Sequence, residues 1–396
     1  MTGTKREHSL RIWVLTLGYF LFYVPYSGLS KGVTSGLLTG RSIPGPELLP
    51  SAAISTAIVT LLFITIMGWW KYGRKRRILV LNIVFPRLQT FLSGLGFAAI
   101  ILTTTLAYSF SGVSIVLALV LMRAGVLTMS PIIDRIFKRR VRWFSWVGFT
   151  MSILALVISF SSIHQYQLGL AALLNLAAYL TGYAVRLPAM TQIAKTGEAD
   201  IAFDYFVEEQ AVAMPVLIFA PAALALLGKM AIADQLRNGF LHLFSGPTGF
   251  AGLAIGFFYA GLGICLSFIY LDRRENTFCM PLFSCSSLLS GIVASYLLMW
   301  WLHGPAPKGV GISAAFLIIA TLLVMSPLHH LPLYIKQLRA AIAEHRLVLV
   351  DFSRDRSTHF ASSQEVHPTA KFIVINFQAV RDAVRSQPQV QKQRKA

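Results

Sequence analysis

Long apolar runs separated by short basic bursts dominate the chain. A membrane-crossing helix needs about 20 mostly apolar residues. That ruler predicts ten spans: 11–31, 48–70, 88–108, 112–134, 143–162, 168–190, 208–228, 249–271, 278–302 and 308–328. Between the second and third, residues 78–85 are apolar but stop at Pro86–Arg87, too short to span, and predict a loop or an interfacial strand. After the tenth span the pattern turns polar. Leu331, Ile335, Leu338 and Ile342 recur at helical spacing, as in an amphipathic helix lying along the headgroups. Residues 347–350 and 372–377 are short strand-like runs, and 387–396 read as disordered.

Composition sharpens this picture. Of 396 residues, 55% are hydrophobic and only 13% charged, and the mean hydropathy is +0.64. A soluble chain carries roughly 25% charge. The net charge of +19 would suit a nucleic-acid binder only if the bases covered a polar surface. Here they lie between apolar runs, so the expected partner is the lipid bilayer and nucleic acid is not expected. Cys265, Cys279 and Cys285 sit in or beside apolar runs, which indicates neither a disulfide framework nor a zinc ribbon. No Asn-x-Ser/Thr acceptor marks an exterior loop. The short basic N-terminus leads into a run without a small-residue cleavage site, which predicts a first span rather than a signal peptide.

Short cytoplasmic loops collect Lys and Arg. With the N-terminus inside, ten crossings place Lys71, Arg74, Lys75, Arg76, Arg77 and Arg87 inside. Arg135, Lys138, Arg139, Arg140 and Arg142 join them, then Lys195, Arg273 and Arg274. The outside receives only Lys31, Arg41, Lys229, Arg237 and Lys308. The even count leaves the tail, with its eleven bases and five acids, on the same side. The expectation is a multi-pass protein of the cell (inner) membrane with both termini cytoplasmic. The tail at 329–396 either serves a membrane-surface or regulatory role or simply tethers.

The fifth and tenth spans look alike. Val147–Gly148–Phe149–Thr150 opens one and Val310–Gly311–Ile312–Ser313 the other, 163 residues apart (310 minus 147). Five helices per half is an odd number, so the two copies would cross in opposite directions. Inverted repeats of this kind give secondary transporters two nearly equivalent states. The organisation expected is an all-α, ten-helix body: a short N-terminus 1–10, one five-helix repeat over 11–162, a second over 168–328, and the tail.

Residues 116–128 (VLALVLMRAGVLT), continuing through 138–140 (KRR) to 146–148 (WVG), resemble the fourth and fifth helices of the drug/metabolite transporter superfamily. Residues 281–291 (PLFSCSSLLSG), then 292–296 (IVASY) and 309–311 (GVG), are similar to its ninth and tenth. The resemblance implies two inverted five-helix repeats, cytoplasmic termini, a central substrate cavity, and transport by exchange or ion coupling. Many members carry Gly-Glu after the fourth and ninth helices, where this chain has Phe137–Lys138–Arg139 and Leu302–His303–Gly304. The tail is also longer than a minimal member needs.

Arg123 is the sharpest chemical signal. It lies eleven residues from each end of its span, roughly 16 Å from either interface. A charge at mid-bilayer costs at least about 2.5 kcal/mol, and no Asp or Glu lies at comparable depth in the ten spans. Compensation must come from carbonyls, side-chain oxygens, water or a bound anion. The favoured expectation is a hydrated cavity admitting an anionic or strongly hydrogen-bonding solute; the alternative is an arginine locked to carbonyls of a neighbouring helix.

Asn175, Tyr179, Tyr183 and Arg186 share one face of the sixth helix, and Tyr19, Tyr23, Tyr26 and Ser30 one face of the first, with Lys31 just beyond. Tyr23, Tyr26, Lys31, Asn175, Tyr179 and Tyr183 are thus candidate cavity residues beside Arg123. Tyr26 and Lys31 would equally suit the interfacial belt.

The seventh span opens with Glu208–Glu209, after Glu198, Asp200 and Asp204. Arg186 paired with either glutamate would make an inner gate, and a buried carboxylate there would suit proton coupling. A solvated helix start, where acids favour the helix dipole, is the plainer expectation.

Gly252, Gly256 and Ala260 form a small packing face, as does Gly291 with Ser295. Pro188, Pro215, Pro221 and Pro281 predict kinks or broken segments. A homodimer is compatible with these features. The histidines lack metal-ligand spacing, no catalytic motif stands out, and no metal or other cofactor is expected. The pattern points to a secondary transporter of a small polar, anionic organic solute. A membrane-embedded acyl- or glycosyltransferase and a non-transporting scaffold are the alternatives.

Overall fold

The computed structural model describes residues 5–78, 81–107, 115–161, 170–195, 199–229, 231–243, 246–304 and 319–321. Ten helices are present among them. They are α1 (Lys5–Thr34), α2 (Gly45–Ile66), α3 (Leu88–Ala107), α4 (Ile115–Ile136) and α5 (Trp143–Ser161), then α6 (Leu170–Ile193), α7 (Ala199–Leu227), α8 (Ala231–Leu241), α9 (Gly246–Tyr270) and α10 (Asn276–Leu302). Nine of these coincide with the first nine predicted spans. The eleven-residue α8 is the exception, too short to cross a bilayer. Of the tenth span only residues 319–321 are described, and they are helical. Val310, Lys308 and the tail with its amphipathic and strand-like runs fall outside the described residues.

The apolar stretch before α3 forms a ribbon. β1 (Lys75–Ile78) pairs antiparallel with β2 (Leu81–Val84), in the register Lys75↔Val84 and Ile78↔Leu81. β2 falls in the apolar stretch that predicts a loop or an interfacial strand, whereas β1 is drawn mostly from the basic residues before it.

Seven helices, α1, α2, α3, α6, α7, α9 and α10, are long and apolar enough to cross a membrane. Their outward faces fit that role: Val14, Leu17 and Leu21 on α1, and Leu170, Leu173 and Leu174 on α6, are largely exposed. In water such faces would be an aggregation liability; against lipid they are the favoured surface. The chain is an all-α polytopic membrane protein with one small ribbon.

The bundle interleaves. α3 packs on α6 and α7, and α9 packs on α1 and α2. α2 meets α7, α4 meets α10, α1 lies along α10 and α6 along α4. Small residues set the closest approaches. A Cβ on Gly96 or on Gly182 would stand 2.7 Å from the other's carbonyl oxygen, so α3 and α6 touch backbone to backbone. The predicted small face of α9 seats on α2: a Cβ on Gly256 would collide with the carbonyl of Ala52, and Ser55 Oγ donates to Leu253 O at 2.7 Å.

Two expectations are corrected. The helices run unbroken through Pro188, Pro215, Pro221 and Pro281, so broken segments do not form. α7 starts at Ala199, so Glu208 and Glu209 are not a solvated helix start; both are fully buried in its third turn.

Candidate functional site

Arg123 projects from α4 into the meeting place of α1, α6 and α10. Its Nε donates to Ser287 Oγ at 2.9 Å, one Nη donates to Tyr23 Oη at 3.2 Å, and the other donates to Tyr179 Oη. The guanidinium lies 4.0 Å from the centre of the Phe283 ring. A guanidinium has five N–H groups, so three are used. The compensation is therefore side-chain hydroxyls and a ring face, not carbonyls of a neighbouring helix. Among the described residues no carboxylate lies within ion-pair distance of Arg123. The surrounding side chains leave Arg123 only 2% exposed.

The tyrosine stripes surround it as their spacing implied. Tyr19 and Tyr23 lie ring to ring at 5.2 Å, and Tyr23 and Tyr26 at 5.6 Å. Tyr26 is fully buried against Tyr259 at 4.9 Å, in the core rather than in an interfacial belt. On α6, Tyr179 and Tyr183 lie 4.9 Å apart, and the Tyr270 hydroxyl reaches that of Tyr183 at 3.4 Å. Two members do other work or lie elsewhere. Asn175 Nδ2 donates to Thr103 O at 2.9 Å and pins α6 to α3. Lys31, two turns beyond Tyr23, is half-buried in the last turn of α1.

One turn below Tyr183 is a second buried arginine. Arg186 Nε and Nη2 donate to the two oxygens of Glu209, both at 2.8 Å, and both side chains are fully buried. Ser267 Oγ accepts from Arg186 at 2.9 Å, Ser93 Oγ donates to Glu209 at 2.6 Å, and the Phe97 ring lies 3.9 Å from the guanidinium. Of the two candidate partners, Arg186 takes Glu209. Glu208 turns toward the start of α3, where its Oε2 accepts from Thr90 Oγ1 at 2.6 Å and from the Arg87 N–H at 3.1 Å.

Two further acids, which sequence reasoning missed, knit the same end of the bundle. Asp134, at the end of α4, accepts the backbone N–H groups of Asn276 and Thr277 at 3.0 and 2.7 Å, and so caps α10 from another helix. Glu275 Oε1 accepts from Arg142 Nε at 2.9 Å and Ser145 Oγ at 2.6 Å at the start of α5. Burial pushes the Glu275 carboxyl up, but the hydrogen bonds from Arg142 and Ser145 outweigh it and hold it below the ordinary carboxylate range. The only sequence signal for either was an acid beside a basic loop. Among the described residues no His, Cys, Asp and Glu side chains gather as a metal site.

The fold and these buried charges define a multi-pass membrane protein with a charged core. No family model matches the sequence, and no curated protein matches it. One similar solved structure, described as "Crystal structure of protein", corresponds over 80% of this chain and 98% of its own, with a TM-score of 0.47 and 14% sequence identity.

Proposed function

We propose that the protein is a secondary transporter moving a small anionic organic solute by alternating access, with Arg123 as the solute anchor. The observation that carries this is a buried guanidinium without a carboxylate partner among the described residues, held by hydroxyls and a ring face where four helices meet. An anion arriving there would supply the counter-charge and take the two N–H groups that bond none of the described residues. Tyr23, Tyr179 and Tyr183 then offer it hydroxyls and ring faces. The closed packing around Arg123 corresponds to the occluded state through which an alternating-access cycle passes. Arg186–Glu209, one turn from this cluster on the basic side, is the inner gate.

The two halves, 11–162 and 168–328, are inverted repeats on this reading. The contact pattern supports it: exchanging α1 with α6, α2 with α7, α3 with α9 and α4 with α10 turns α1–α9 into α6–α3 and α2–α9 into α7–α3, all of which pack. So does the spacing of the site. Tyr19 and Tyr179, Tyr23 and Tyr183, and Arg123 and Phe283 are each 160 residues apart (179 minus 19, 183 minus 23, 283 minus 123). Arg123 thus stacks on its own counterpart, as residues on a pseudo-two-fold axis do. This organisation is the one implied by the resemblance to drug/metabolite transporters.

The test is uptake of labelled carboxylate and phosphate-ester metabolites into proteoliposomes that contain no covalent donor. Wild-type protein takes up at least one of them; Arg123→Ala inserts into the membrane but takes up none. Wild-type uptake with Arg123→Ala would refute the anchor. Turnover of a lipid-linked or acyl donor without uptake would favour a transferase instead.

A further inference from the structure

Asp204 and Glu208 lie four residues apart on α7, neighbours on one face of the helix. Each has one oxygen fully served: Asp204 Oδ2 accepts from Arg87 Nη2 at 2.7 Å, and Glu208 Oε2 from Thr90 and the Arg87 N–H. Each has one buried oxygen, Asp204 Oδ1 and Glu208 Oε1, with no donor among the described residues. Glu208 is fully buried, away from bulk water. A buried acceptor left without a donor costs roughly 1–3 kcal/mol, more when charged. Two such acceptors belonging to neighbouring acids share one remedy, because a proton on either acid turns one oxygen into a donor for the other.

The charge count leads to the same place. The charged groups tied to this pair are Arg87 from the start of α3 and Arg74 from the loop before β1, while Arg186 from α6 and Tyr205 from α7 bond the neighbouring Glu209. Arg186 is spent on Glu209. Arg87, whose side chain is 36% exposed, bonds Asp204 and leaves Glu208 with a backbone N–H and a hydroxyl. Two carboxylates in so little water do not both ionise easily.

We propose that Asp204 and Glu208 together hold a single proton, exchanged with the aqueous side on which Arg87 lies, and that this proton is the coupling ion of the transporter. The O–H bond forms with a proton from water on that side, and the reverse transfer releases it; no other bond changes. When the proton leaves, the second negative charge repels the first on α7 and draws more strongly on Arg87 and Thr90 at the start of α3, beside the Arg186–Glu209 gate. The coupling role rests on the transport reading; the proton site itself does not.

The test is infrared difference spectroscopy of the full chain in lipid vesicles, stepped from about pH 5 to about pH 9. The wild type shows one protonated-carboxyl stretch at neutral pH that disappears as the pH is raised. Glu208→Gln and Asp204→Asn, each close in shape to the protonated acid, both lack it at neutral pH. Absence of a titrating band in the wild type, or its persistence in both variants, overturns the proposal. The wild-type titration needs no variant to fold. The band is read with no solute present, so a transport failure is recorded separately in the uptake assay.

Discussion

Removing the acid from the buried Arg186–Glu209 pair should be far more costly than removing both partners. In Glu209→Leu the guanidinium keeps Ser267 at 2.9 Å and the Phe97 ring at 3.9 Å. A desolvated cation–π contact contributes about 2 kcal/mol and a hydrogen bond from a charged group about 1.5–3 kcal/mol. Both contacts exist in the wild type, so neither offsets what is lost. Arg186 is fully buried, and its Nη1 lacks a partner among the described residues. The expected loss is that of a buried ion pair missing one member, about 3–5 kcal/mol. Ser93 and Tyr205 still bond each other at 2.5 Å, but the Ser93 hydroxyl loses the carboxylate it donates to, which adds to the loss. Adding Arg186→Met removes the orphaned charge and should recover most of the loss, since apolar pairs of similar volume often match buried ion pairs. Reversible unfolding by sodium dodecyl sulfate in mixed micelles, run on the wild type, both single variants and the double, yields the full cycle. A Glu209→Leu loss below about 1 kcal/mol, or a double variant no more stable than Glu209→Leu, would show that the charge is not confined as described.

Gly182→Ala puts a Cβ 2.7 Å from the Gly96 carbonyl, and because backbone cannot rotate aside, α3 and α6 must part; the same assay should register a loss of about 1–3 kcal/mol. An unchanged midpoint would contradict the close approach. Asp134→Ala uncaps α10, and a lost cap costs up to about 2 kcal/mol. Amide exchange should quicken over the first turns of α10 and not at its far end. Glu275, 7% exposed, has a folded pKa held below its unfolded value of about 4.3. Its ionised form therefore adds stability above that value, lost as pH falls through the lower folded one. Glu275→Gln should be less stable than wild type at neutral pH, and stability measured against pH should show the gap closing below about pH 4.

Much of the body was legible in the chain because burial in lipid is additive along the sequence. Nine apolar runs became helices, and the short run before Pro86 became one strand of a pair. The faces carrying Tyr19, Tyr23 and Tyr26, and Tyr179, Tyr183 and Arg186, were fixed by the helical repeat of 3.6 residues and turned inward together. Arg123 stood out because a charge at mid-span has few inexpensive environments.

Partner choice was not legible. Nothing local distinguishes Glu208 from Glu209, yet a rotation of about 100° per residue sends one to Arg87 and Thr90 and the other to Arg186. The start of α7 at Ala199 was hidden because acids lower hydropathy without ending a helix, and only packing against α3 buries them. Asp134 caps a helix that begins about 140 residues later, and Phe283 lies under Arg123 only because α4 and α10 cross. The sequence by itself settles which segments leave water and which charges go with them. Only the tertiary structure decides which groups meet those charges, since that depends on distances between helices far apart in the chain.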